Sequence, residues 1–126
     1  MPKTRSDFEQ GYIDTLLWCG VYTEDESGEL TTTDELDDLS SIPESVLATI
    51  KQDCESFISA NREMLDETEA DDYQHGTDFY LTRNRHGAGF WDRGYGEVGR
   101  KLTDAAHTYG EFSLSLDNDG NVSEMN

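Results

Sequence analysis

Basic residues are scarce in this chain. Nine Lys and Arg stand against 28 Asp and Glu in 126 residues, a formal net charge of −19, with an isoelectric point near 4.1. Such a surface repels phosphates, which excludes direct binding to DNA or RNA and attraction to an anionic membrane face. Cysteine is scarcer still. Cys19 and Cys54 are the only two, too few for a disulfide scaffold and wrongly spaced for a zinc knuckle. No apolar run approaches the roughly 18 residues of a transmembrane helix, and Met1 to Asp7 are not followed by the apolar core of a secretion signal. The expectation is a soluble protein working inside a cell. Hydrophobic residues make up 34%, enough for one modest core, so residues 1–126 read as a single domain.

What the chain has in excess is unevenly placed. Residues 1–73 carry 20 acids and 4 bases, net −16, whereas residues 74–126 carry 8 acids and 5 bases, net −3. Residues 24–72 alone hold 17 acids against Lys51 and Arg62. High charge with few aromatics favours disorder for Glu24 to Ser40. Yet Leu30, Leu36, Leu39, Ile42, Val46, Leu47, Ile50, Phe57 and Ile58 are interleaved with the charges, so at least the second half of this block is expected to fold.

Local signals predict the elements. Ser6-Asp7-Phe8-Glu9 is a capping box, and Phe8, Tyr12, Leu16 and Cys19 follow at helical spacing, which predicts a helix from Asp7 to Cys19 stopped by Gly20. Tyr22 to Ser41 reads as an acidic loop with a short helical turn near Asp34 to Leu39. Pro43 opens a second helix, carried to about Met64 or beyond by Leu47, Ile50, Cys54, Phe57, Ile58 and Leu65. Gln74-His75-Gly76 reads as a break. Thr77 to Thr82 alternates as a strand does, Ala88 to Trp91 gives a second apolar run, and Arg83 to Gly87 supplies hairpin-turn residues between them. Val98, Leu102, Ala105, Ala106 and Tyr109 mark a third helix from Gly96 to Thr108. Phe112, Leu114 and Leu116 alternate again, Asp117 to Gly120 makes a turn, and Val122 begins a last strand. The predicted class is α+β: three helices packed on a small antiparallel meander sheet, with 1–73 acidic and mostly helical and 74–126 made of hairpins plus a helix.

The run from Gly76 to Gly94 resembles a family of small acidic proteins encoded by tailed bacteriophages and related mobile elements, whose core pattern is DFxLTRNxHGAGFWDR. An LLW helix upstream is matched by Leu16-Leu17-Trp18, and a DCxxF pattern by Asp53-Cys54-Glu55-Ser56-Phe57. The similarity covers nearly the whole chain. It implies a viral protein acting in the host cytoplasm and identifies a lineage rather than a chemistry.

Several constellations invite a chemical reading. In the predicted hairpin, Arg83, Asn84, Arg85, His86 and Gly87 could bind an anion, with Arg83 as anchor and His86 as general base, while Phe90, Trp91 and Asp92 follow. The structural alternative is a turn whose arginines pair with Asp78 or Asp92 and whose aromatics fill the core. No serine or cysteine nucleophile is placed beside His86, so no catalytic residue is assigned. His75, His86, His107 and the two cysteines are scattered, so no metal is expected. Asp117 to Asn121 begins like a calcium loop but lacks its glycine and its final glutamate. Gly94, Gly96 and Gly99 have dinucleotide-loop spacing without room for the fold that motif requires, so no cofactor is expected.

The acidic block remains. Were residues 44–72 one helix, it would run about 43 Å and carry 9 acids and 2 bases, too dilute beside the roughly 1.7 Å charge spacing of duplex DNA. Adding the 8 acids of Glu24 to Asp38 brings the density to about one charge per 3 Å, near that of a single strand. The expected partner face comprises Glu24, Asp25, Glu26, Asp34, Glu35, Asp37, Asp38, Glu63, Asp66, Glu67, Glu69, Asp71 and Asp72. The expected partner is a basic, nucleic-acid-binding host protein such as a restriction, CRISPR or repair factor, engaged by partial DNA mimicry. The oligomeric state is open. The alternatives are an accessory interaction protein using the Arg83 to Trp91 segment, or a small enzyme acting there on a phosphorylated substrate.

Overall fold

Ser6 Oγ accepts the Glu9 amide at 3.1 Å and starts helix α1 (Asp7–Cys19), which Gly20 closes by donating its N–H to the Leu16 carbonyl. The computed structural model describes residues 6–24, 26–32, 42–86, 88–117 and 122–125. Among these, α1 is followed by β1 (Val21–Glu24), β2 (Leu30–Thr32), α2 (Glu44–Glu67) and α3 (Asp72–Arg83). A single 3-10 turn (Phe90–Asp92), α4 (Glu97–His107), β3 (Ser113–Leu116) and β4 (Val122–Met125) complete the order. The class is α+β, with four α-helices and four strands among the described residues.

The sheet is not the expected meander. Its strand order is β2-β1-β3-β4. Two antiparallel hairpins, β1–β2 and β3–β4, are joined by a parallel pairing of β1 with β3 in which Val21 faces Leu114 and Tyr22 faces Ser115. Parallel neighbours need a crossover, and the three later helices provide it. The expected loop at Tyr22 to Ser41 is therefore corrected, since its first part is the β1–β2 hairpin. The helical turn expected at Asp34 to Leu39 and most of the turn at Asp117 to Gly120 lie outside the described residues.

The largest correction concerns Thr77 to Thr82, expected as a strand and found in the middle of α3. Phe79, Tyr80, Leu81, Thr82 and Arg83 are all buried. A helix covered on every side shows no apolar stripe, and a short apolar run does not reveal its period. Gln74-His75-Gly76 is no break but the first turns of this helix, capped by Asp71, whose carboxylate accepts the Gln74 amide at 2.9 Å. The division drawn at 73/74 falls inside α3.

α1 and α3 touch backbone to backbone at two glycines: a Cβ on Gly11 would lie 2.1 Å from the Tyr73 carbonyl oxygen and one on Gly76 1.9 Å from that of Phe8, while one on Gly20 would lie 1.8 Å from the Tyr80 hydroxyl. Between the glycines, Thr15 Oγ1 donates to Thr77 Oγ1 at 3.2 Å. On the inner side, Phe57 of α2 stacks on Phe79 at 4.3 Å between centroids and on Phe90 at 5.7 Å. Tyr12 meets Tyr80 edge-on at 5.1 Å. This aromatic column is the centre of the core, and α3 is its axis.

Candidate functional site

Arg83 ends α3 inside the protein. Only 4% exposed, its guanidinium donates to Asp53 Oδ2 at 2.9 Å, to the Tyr12 hydroxyl at 3.1 Å, to the Gly110 carbonyl at 2.8 Å and to the Tyr109 carbonyl at 3.0 Å. Its charge lies 5.4–5.6 Å from the ring centroids of Phe79, Tyr109 and Phe112. All its donating nitrogens are directed at protein acceptors, so it cannot anchor a solvent anion. It ties together α1, α2, α3 and the segment after α4.

The rest of the Gly76 to Gly94 run is absorbed in the same way. There is no hairpin: the segment expected as its turn is the last residue of α3 and the loop beyond it, and the second strand expected at Ala88 to Trp91 is the 3-10 turn. Asn84 donates to the Tyr80 carbonyl at 2.9 Å and accepts the Phe112 amide at 2.8 Å. Thr82 Oγ1 accepts the Phe90 amide, and Asp92 accepts the Gly89 amide. The pairing of Arg83 with Asp78 or Asp92 open to the sequence is not the one formed. Arg83 takes Asp53, while Asp78 takes Arg93 through Nε at 3.1 Å and Nη2 at 2.8 Å. Asp78 is fully buried. Burial pushes its carboxyl upward, against the pull of Arg93 and Gln74. Phe90 belongs to the core, whereas Trp91 is 54% exposed. Gly87 lies outside the described residues.

Within the motif Arg85, Trp91, Asp92, Arg93 and Gly94 are exposed, and His86 is half-buried. The spacing gave no hint that His86 has a thiol beside it, yet its Nε2 is 4.0 Å from Cys19 Sγ. Burial pushes the Cys19 thiol up, and the thiol already donates to the Thr15 carbonyl at 3.3 Å. At neutral pH it is protonated, so the pair is not an activated nucleophile.

The carboxylates divide into two groups. Asp25, Asp34, Glu35, Asp37 and Asp38 lie outside the described residues, and Glu24 and Glu26 sit at the β1–β2 hairpin. The other six gather where α2 turns into α3. Residues 62–72 hold six acids and one base. This is not the continuous rod considered for 44–72, because α2 stops at Glu67, Thr68 caps it, and Glu69 takes φ 67. A left-handed conformation costs a non-glycine residue roughly 1–2 kcal/mol, and here it places a carboxylate at the corner. Arg62 binds Asp66 at 2.8 Å and Asp72 at 3.1 Å, and Asp71 caps α3. Burial raises Asp72, but Arg62 and His75 outweigh it and hold the carboxyl below its ordinary range. Among the described residues, Glu63, Glu67 and Glu69 have no ion-pair partner, and all three are exposed. The corner is therefore a compact anionic patch with a braced base and three free carboxylates.

Comparison with protein-family models, curated proteins and solved structures finds no match. Two exposed aromatics have no binding role assigned from the sequence. Tyr73 is 43% exposed and Trp18 is 73% exposed. Tyr73 donates its hydroxyl to Asp14 Oδ2 at 2.6 Å. The only signal available was Trp18 itself, placed by its helical angle opposite the Tyr12 and Leu16 stripe. Among the described residues no group of three or more His, Cys, Asp and Glu side chains forms a metal site. The arrangement suits attraction of cations.

Proposed function

We propose that this chain is a non-enzymatic acidic protein, phage-encoded, that binds the basic nucleic-acid-binding surface of a host protein in the host cytoplasm. Its carboxylates take the place of phosphates. The observation that carries the reading is the corner at residues 62–72, where six acids and one base are fixed by a helix end, a capped helix start and the Arg62 brace. Glu63 and Glu67 are one helical turn apart, about 6 Å along the axis, a spacing within reach of adjacent cationic side chains in a nucleic-acid groove. Attraction of this kind speeds association and weakens with salt.

The enzyme reading loses its anion anchor because Arg83 is buried. The accessory-protein reading keeps Trp91 as an exposed aromatic, but Phe90 and Arg83 no longer belong to that surface.

The test uses Glu63, Glu67 and Glu69, which have no ion-pair partner among the described residues. Immobilised chain, offered a host lysate at low salt, is expected to retain nucleic-acid-binding proteins and to release them as salt rises. The triple variant Glu63→Lys, Glu67→Lys, Glu69→Lys is expected to lose at least roughly a hundredfold in affinity through like-charge repulsion while its circular dichroism stays unchanged. Recovery of no nucleic-acid-binding protein, or equal recovery by the variant, would overturn the proposal.

A further inference from the structure

Exposed Tyr73 donates to the Asp14 carboxylate, and exposed Trp18 stands one helical turn further along α1 on the same face. Asp14 and Trp18 are four residues apart on α1, hence on one face and about 6 Å apart along its axis. Helical side chains lean toward the N-terminus, which carries the Trp18 indole toward Asp14. Tyr73 reaches Asp14 from the other side, its hydroxyl at 2.6 Å from Oδ2. Gln10 holds the second oxygen, with Nε2 at 2.8 Å from Oδ1. The Asp14 carboxylate is thus oriented by two donors while staying exposed, with lone pairs left on each oxygen.

The frame beneath is rigid. Tyr73 begins α3, and its backbone rests on Gly11 so closely that a Cβ there would lie 2.1 Å from the Tyr73 carbonyl oxygen. Tyr73 is therefore set by the glycine crossing of α1 and α3, and Trp18 by its place on α1. Tyr73 also adjoins the anionic corner, since it directly follows Asp71 and Asp72 in the chain.

We infer that Trp18, Asp14 and Tyr73 form a cradle for an arginine side chain of the basic partner, with the corner at 62–72 steering the partner onto it. This rests on the function proposed above and names which cation the face prefers. A guanidinium is planar, stacks on aromatic faces and gives a carboxylate two parallel donors, whereas an ammonium is a strongly hydrated point charge. Lysine gains from the corner's field but not from the cradle. Exposed tryptophan and tyrosine beside a charge are also the residue types that dominate binding energy at interfaces.

The experiment measures binding of octa-arginine and octa-lysine peptides to the full chain carrying Trp91→Phe, so that Trp18 is the sole indole reporter. The octa-arginine peptide is expected to bind roughly fivefold more tightly and to shift Trp18 emission, and Trp18→Ala, read by calorimetry, is expected to bring the two affinities together. Equal affinities in the parent, or an arginine preference that survives Trp18→Ala, would overturn the cradle. If both peptides then still bind with strong salt dependence, the acidic-corner reading stands without it. If neither peptide binds, both readings fail. Circular dichroism shows whether Trp18→Ala remains folded, and Tyr73→Leu, which keeps the backbone contact to Gly11, gives a second variant with the same expected loss of preference.

Discussion

Replacing Arg83 with alanine is expected to lower the unfolding free energy by about 3–5 kcal/mol, the range seen when one partner of a buried ion pair is removed. The reason is the number of groups left stranded. Asp53 loses its counter-ion, the Tyr109 and Gly110 carbonyls lose their donors, and three aromatic rings lose the cation packed near them. Domains of this size are stable by about 5–15 kcal/mol in total, so the variant should be marginal at room temperature. Urea denaturation measures the change. Arg85→Ala, two residues later and exposed, is expected to change stability by no more than about 0.5 kcal/mol. A loss below about 1 kcal/mol in Arg83→Ala would show that the hub does not hold the helices together.

Gly76→Ala is expected to destabilise by about 1–3 kcal/mol, the usual cost of forcing extra volume into a packed interior. Helix propensity alone points the other way, since glycine inside a helix is worse than alanine by about 1 kcal/mol. The sign is decided by the crossing. The new methyl would lie 1.9 Å from the Phe8 carbonyl oxygen and 2.9 Å from the Tyr12 nitrogen, both backbone atoms of α1. Neither can swing aside as a side chain would, so α1 and α3 must separate. Thermal unfolding followed by circular dichroism decides the matter, and a raised midpoint would mean that the helices are not in backbone contact.

What the sequence reveals here depends on how local each signal is. α1 is legible because its cap, its stripe and its stop all lie within residues 6–20. α4 and the β3–β4 hairpin are legible for the same reason. α3 is hidden by its own burial: with Phe79, Tyr80, Leu81, Thr82 and Arg83 all inside, no polar face remains to mark the helical period. One local signal was present, since Asp71 stands three residues before Gln74 in the manner of a capped helix start. The sheet order rests on Val21 meeting Leu114, and no short-range pattern announces a pairing across so long a stretch. Arg83 finds Asp53 in the same non-local way, so the nearby Asp78 and Asp92 mislead as partners.

The acidic site divides similarly. The sign and amount of charge are plain from composition. Their concentration at one corner follows from where α2 ends, and that is set by the Thr68 cap and the left-handed Glu69 rather than by any proline or glycine. Exposure of Trp18 follows from its angle on α1, opposite the buried stripe, whereas Tyr73 reaches Asp14 only through the packing of α3 on α1, a tertiary fact.

The central claim is that this anionic face occupies the place of nucleic acid on its partner. The most direct measurement is displacement: labelled duplex DNA bound to the captured host protein, titrated with the chain and followed by fluorescence anisotropy. The account predicts that the chain releases the DNA completely, with potency falling as salt rises and lost in the Glu63→Lys, Glu67→Lys, Glu69→Lys variant. DNA that stays bound while the chain saturates the same protein would contradict it.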